Sequence, residues 1–359
     1  MKHWQEACSL FERLAELHRA GRSAALATVV HIAGSAYRRP GARMLIEADG
    51  RMSGGVSGGC LEADVREVAL AALEHNTPRL LHYDTGDDDQ VVWGLGLGCN
   101  GTTEILVQPL PPGAEAQPLQ AVRELLGGDR SFAVATMIDG GAAGRILVRG
   151  PDGSWIGSSG EAGLDRAIDA ALTEQLEHGG SRLREAGGAR IFAELFSPPP
   201  HLILCGAGDD SVPLARLAAD AGFRITVVDH RPAYLTAERF PRARLHRARP
   251  EDGVKDLPLG PNTMVLLKMH SLAQDRGWLE HFLATDARYL GILGPRDRTD
   301  RMLDELGAKQ QERIYGPVGL DLGAEGPEQV ALSIIAELLA VWSGGSCRSL
   351  REKGAPIHS

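Results

Sequence analysis

Within residues 4–19, Leu10, Leu14 and Leu17 recur at helical spacing, and the next run, Ala24 to Val30, is rich in small and β-branched residues. The first pattern predicts an amphipathic helix and the second a strand buried on both faces, so a helix leads into a sheet. Two proline-bearing stretches without periodicity, Pro109 to Pro118 and Ser197 to Pro200, read as connections, which places the main domain boundary near Pro200. Beyond it the apolar run His201 to Cys205 predicts a strand. A glycine turn follows, then a helix carrying Leu214, Leu217 and Ala218, then further strands at Phe223 to Val228, Met264 to Leu267 and Tyr289 to Leu293. Strands alternating with helices predict a Rossmann-like, doubly wound parallel sheet, so the fold class is α/β throughout.

The first half contains a weak duplication. Ala25 to Val30 resembles Ala133 to Ile138; Asp49-Gly50 resembles Asp152-Gly153; and helices ending Glu74-His75-Asn76 and Glu177-His178-Gly179 follow. The two later landmarks share an offset of 103 residues and the early strands one of 108, so the first copy carries five extra residues in the loop Ala33 to Gly41. The first copy also has Ser53-Gly54-Gly55-Val56-Ser57-Gly58-Gly59-Cys60-Leu61-Glu62, where the second has Gly163 opposite Cys60. When two repeats share a scaffold and one keeps special residues, those residues are the expected site; the plainer reading is drift between structural repeats.

At 359 residues the chain is long enough for two or three cores, and its formal net charge of -9, with both signs spread along the sequence, argues against a nucleic-acid partner. The N-terminus lacks the pattern of a secretory signal, and no stretch is long and apolar enough to span a membrane, so a cytoplasmic location is expected. The five cysteines are widely spaced and contain no CxxC pair, which predicts reduced thiols rather than disulfides or a zinc ribbon. Cys205 and Cys8 read as packing residues, and Cys347 lies in a polar tail.

Cys60 falls at the start of a helix predicted over Leu61 to Leu73, behind a run of small residues. Such a thiol suits a soft metal, a persulfide or an anionic cofactor; a buried, apolar cysteine is the alternative. A second glycine run, Gly94 to Gly101, holds Cys99. In the second half, Gly206 and Gly208 form the turn after the first strand, and Asp229, 21 residues past Gly208, ends the second strand where a carboxylate can meet ribose hydroxyls. Asp209 and Asp210 stand where they would repel a phosphate, and Ser211 replaces the usual Gly or Ala. Past later strand ends, His270 is an acid, base or metal ligand, or a plain polar contact, and Arg296 and Arg298 meet an anion or face solvent.

Residues Gly34 to Met44, Gly54 to Glu62 and Gly96 to Gly101 are similar to the N-terminal signature of the XdhC/CoxI family, and His201 to Gly208, Asp229 to Arg231, Gly291 to Gly294 and Gly319 to Leu338 resemble its Rossmann region. Where that family often has Thr-His-Asp-His followed by Asp, this chain has Met269-His270-Ser271-Leu272 and then Asp275. The expected domains are 1–198, with copies at about 23–110 and 119–198; 199–345, Rossmann-like; and a polar tail, 346–359. The resemblance implies a chaperone for maturation of a xanthine dehydrogenase-type molybdenum hydroxylase: it binds the molybdenum cofactor, supports its sulfuration by a cysteine desulfurase and delivers it to the hydroxylase large subunit. Cofactor contacts are then expected from Cys60 as soft ligand to the metal, Cys99, Arg38, Gly54, Gly55, Ser57, Gly58, Gly59 and Glu62, while Gly206, Gly208 and Asp229 in the second half are expected to meet either a nucleotide or the cofactor's own phosphate-bearing part. A homodimer stays open. The rival reading is an NAD(P)-dependent oxidoreductase using the Rossmann turn, and a scaffold bridging desulfurase and hydroxylase is a third.

Overall fold

A computed structural model of the chain describes residues 2–34, 38–84, 101–113 and 116–352. The chain divides into two compact units, Lys2–Pro198 and Pro199–Ser359.

The first unit runs α1 (Lys2–Arg19), β1 (Ala24–Gly34), β2 (Arg43–Glu47), β3 (Met52–Gly54), α2 (Glu62–His75), β4 (Arg79–Asp84), β5 (Gly101–Leu110), α3 (Ala116–Leu126), β6 (Phe132–Met137), β7 (Ile146–Arg149), β8 (Trp155–Ile156), α4 (Ala162–His178), β9 (Ser181–Ala186) and β10 (Ala189–Phe196). Two antiparallel sheets result, β3-β2-β1-β5-β4 and β8-β7-β6-β10-β9, and their strand orders correspond one to one. Each copy is therefore a helix, three strands, a second helix and two strands. The caps agree as well: Asn76 and Gly179, at the 103-residue offset, both end their helices with positive φ.

β1 reads as continuously apolar because it is covered on both sides. Ala24 and Leu26 meet α1, whose Leu10, Leu14 and Leu17 are buried, while Ala25, Ala27 and Val29 lie in the core under α2. β6 repeats this, with Phe132 and Val134 on one side and Ala133 and Ala135 on the other. The cluster around α1 and α3 holds residues of both sheets, so one core joins the copies. β1 continues to Gly34, past the expected Val30, because pairing with β5 resumes after an irregularity at Val29/His31.

The second unit runs β11 (His201–Cys205), α5 (Ser211–Ala221), β12 (Arg224–Val228), β13 (Arg244–His246), β14 (Thr263–Leu267), α6 (Leu272–Leu283), β15 (Tyr289–Ile292), α7 (Arg296–Glu305), β16 (Ile314–Tyr315) and α8 (Gly326–Ser343). All six strands are parallel, in the order β13-β12-β11-β14-β15-β16. This is the doubly wound Rossmann order, and it reverses between β11 and β14, where such sheets open a crevice beyond the strand ends.

Candidate functional site

Cys60 closes the loop that leads into α2. Ser57 organises that loop: its hydroxyl oxygen accepts hydrogen bonds from the amides of Gly59, Cys60 and Leu61, each at 3.1 Å. The same hydroxyl donates to Glu62, whose other carboxylate oxygen accepts from the amides of Val56 at 3.1 Å and Ser57 at 2.8 Å. Burial pushes the Glu62 carboxyl up, but these hydrogen bonds outweigh it and hold the group below the usual carboxylate range. Amides expected to face a ligand are thus taken up within the loop. The loop's order comes from its own hydrogen bonds, and Cys60 is set in place by it. The thiol is half-buried, with one side against the core under the first sheet.

Two glycines matter for different reasons. At Gly54, φ is +83° and an added Cβ would lie 2.4 Å from the Arg43 carbonyl oxygen, so the strand pairing of β2 with β3 requires glycine. At Gly59, φ is +111° but an added Cβ would meet nothing within 4 Å, which leaves the backbone beside Cys60 open. Gly55 and Gly58 complete the loop, Gly55 lying against Glu62. Arg38 is brought to the loop, where Nε donates to the Gly55 carbonyl at 3.1 Å, but its guanidinium is paired with Glu6 of α1 at 2.8 and 3.2 Å. The expected cation is present and already has a carboxylate partner. Cys99 lies outside the described residues.

The second copy keeps the device without the thiol. Asp165, 103 residues after Glu62, accepts from the Ser159 amide at 2.7 Å and the Ser158 hydroxyl at 2.7 Å. Glu62 is therefore a loop-holding residue of the repeat, while Cys60, opposite Gly163, is particular to the first copy. Among the described residues, no group of three or more His, Cys, Asp or Glu could hold a metal ion.

In the Rossmann unit Gly206 has φ +125° and an added Cβ would stand 2.5 Å from the Lys268 carbonyl oxygen, so the turn lies tight against the end of β14. At Gly208 an added Cβ would meet the Asp210 side chain at 2.8 Å. Asp229 is fully buried at the end of β12. Its carboxylate accepts from the Ala207 amide (2.8 Å), the Arg231 amide (2.8 Å), and Arg231 Nε (3.0 Å) and Nη2 (2.8 Å). Burial pushes Asp229 up, yet Arg231 and the two amides hold it below the usual range. Four donors fill the four acceptor positions of a carboxylate, so the group expected to meet ribose hydroxyls is engaged by its own loop and by the glycine turn.

The acids of the turn are matched as well. Asp209 pairs with Arg239 at 2.9 Å, and Asp210 with the buried Lys268 at 2.9 Å and with His270 at 3.2 Å. Lys268 also donates to Ser211 at 2.8 Å, and Ser211 donates to the Gly206 carbonyl at 2.6 Å. Burial lowers the Lys268 pKa, with Asp210 opposing the shift. Sequence reasoning missed Lys268, whose signal was a single charge at the end of an apolar strand. His270 is exposed with φ 55° and makes a polar contact with Asp210. Arg298 pairs with the buried Asp275 at 2.6 Å.

These features define a class: a duplicated antiparallel α/β unit bearing one distinctive cysteine, followed by a Rossmann unit. The chain belongs to the XdhC and CoxI family. That family's description matches residues 17–84, and the XdhC Rossmann domain matches residues 202–338. A Bacillus subtilis protein, named as a probable xanthine dehydrogenase subunit, is 35% identical over 88% of this chain and 92% of its own length. The Escherichia coli molybdenum cofactor insertion chaperone PaoD is 27% identical over 89% of this chain and 84% of its own. A Bacillus halodurans crystal structure described as a xanthine dehydrogenase is 29% identical, with a TM-score of 0.77 over 97% of this chain and 98% of that one. No helix among the described residues is long and apolar enough to cross a membrane.

Proposed function

We propose that this chain is an accessory chaperone that holds the molybdenum cofactor, supports its sulfuration by a cysteine desulfurase and delivers it to a xanthine dehydrogenase-type molybdenum hydroxylase. The observation that carries this reading is Cys60: a half-buried thiol beside the open backbone of Gly59, in a loop whose counterpart in the second copy has no thiol. The named relatives support it.

The residues present fit such a cofactor in chemistry. Bound, the cofactor would supply the molybdenum centre and the exchangeable sulfur that a hydroxylase needs. Cys60 would be its soft protein donor, a single ligand suited to a metal that brings the others with it. Gly59 leaves room for a bulky group against the backbone. Ser57 and Glu62 fix the loop, so the thiol needs little reordering when a ligand arrives. Arg38, at the Gly55 carbonyl, would exchange Glu6 for a phosphate. Cys99 would be a second sulfur site.

The test is the pterin content of purified protein incubated with released molybdenum cofactor, read by fluorescence after oxidation. Near-stoichiometric pterin in the wild type, lost in Cys60→Ala, is expected. Absence of retained pterin in the wild type, or full retention in Cys60→Ala, overturns the assignment.

A further inference from the structure

We infer that the Rossmann unit binds a 2′-phosphorylated adenosine nucleotide, of the NADPH type, in preference to its unphosphorylated counterpart, with Arg231, Arg239 and Tyr234 as the selecting residues. The inference rests on the second unit alone and stands apart from the cofactor reading for Cys60.

The glycine turn after β11 and the end of β12 are where a doubly wound sheet receives an adenosine ribose. In the unphosphorylated case a free carboxylate at the end of the second strand accepts from the ribose hydroxyls; for the 2′-phosphate an arginine nearby takes that role. Here the carboxylate, Asp229, has its acceptor positions filled. What the loop turns outward is the guanidinium that fills two of them. Arg231 pairs side-on through Nε and Nη2, which leaves its Nη1 edge turned away from the carboxylate, and its side chain is 39% exposed. Its Cζ lies 4.3 Å from the centre of the Tyr234 ring.

Arg239 approaches the same ring, at 5.5 Å, and spans the glycine turn. It donates to the Ala207 carbonyl at 3.1 Å and pairs with Asp209, whose side chain is 87% exposed and free to yield to a stronger anion. Tyr234 is itself 38% exposed, and its ring brings the two guanidiniums together. The two aspartates of the turn do not forbid this. Asp209, Asp210 and Asp229 are matched one for one by Arg239, Lys268 and Arg231, so an incoming phosphate meets a neutralised turn. A phosphate dianion competing for guanidinium edges gains charge-assisted, bidentate hydrogen bonds that a ribose hydroxyl cannot make.

The test uses the full chain and calorimetric titration with 2′,5′-ADP, 5′-ADP, NADPH and NADH. Both 2′-phosphorylated ligands are expected to bind at least about tenfold tighter than their partners. Arg231→Ala should reverse the order: it removes the phosphate contact and frees Asp229, so NADH binding is kept or improved while NADPH binding falls. NADH equal to or tighter than NADPH in the wild type, no binding of any of the four at millimolar concentration, or an unchanged preference in Arg231→Ala overturns the inference. Should Arg231→Ala fail to fold, the wild-type comparison of 2′,5′-ADP with 5′-ADP decides by itself.

Discussion

Arg43 on β2 and Glu194 on β10 form a buried ion pair across the two repeats, with Nη1 donating to the carboxylate at 2.8 Å and to the Gly41 carbonyl at 2.9 Å. The guanidinium also lies 5.3 Å from the centre of the Phe196 ring. Gly41 ends the loop that only the first copy contains, and a Cβ there would stand 2.9 Å from Glu194. The end of the copy-specific loop is therefore anchored to the second copy, which gives the cysteine-free repeat a structural task. Removing one partner leaves a buried charge alone. Arg43→Ala is expected to destabilise the first unit by about 3–5 kcal/mol in urea unfolding, whereas the paired replacement Arg43→Met with Glu194→Met should come out near neutral.

Ser57 acts on Cys60 through the backbone. Ser57→Ala removes the acceptor of three amides at the start of α2 and should cost about 1 kcal/mol of stability. It should also speed alkylation of Cys60, read by mass spectrometry of that peptide. Unchanged alkylation would mean that the loop is held by Glu62 alone.

Lys268 and Asp210 make an asymmetric pair, one buried and the other half-exposed. Asp210→Asn leaves the ammonium without its counter-charge and should lower the urea midpoint more than Lys268→Met, which puts an apolar chain of similar length in the same space. Equal losses would show that the Ser211 contact, rather than the charge pair, carries the stability.

His201 at the start of β11 is mostly buried and contacts the Thr226 hydroxyl at 2.8 Å. Burial, with Arg224 and Arg244 nearby, brings its pKa down to about 4 from the usual 6.5. The unfolded chain therefore binds the extra proton first as pH falls, so stability is full above pH 6.5 and declines towards pH 4. Between pH 7 and pH 5 the second unit should lose on the order of 1–2 kcal/mol through this group. The slope should be shallower in His201→Gln, as measured by urea unfolding at both values.

Periodicity makes the framework legible in the sequence. Leu10, Leu14 and Leu17 mark α1, the alternation of strand and helix after Pro200 marks the parallel sheet, and a constant offset exposes the repeat that both antiparallel sheets display. The loop around Cys60 is legible for the same reason, since glycine, serine and a helix start are local chemistry. What sequence does not supply is the partner of each charge. Asp209 and Asp210 read as a barrier to phosphate, yet Arg239 and Lys268 stand beside them, 30 and 58 residues on.

Arg43 and Glu194, 151 residues apart, look in sequence like any surface arginine and glutamate. Local spacing determines which segments form helices and strands and where a glycine turn must fall, because those depend on neighbours within a few residues. Only the tertiary structure decided which charges are buried, paired or left open to a ligand, because long-range packing brings the ends of distant strands to one place and the low dielectric there fixes their partners.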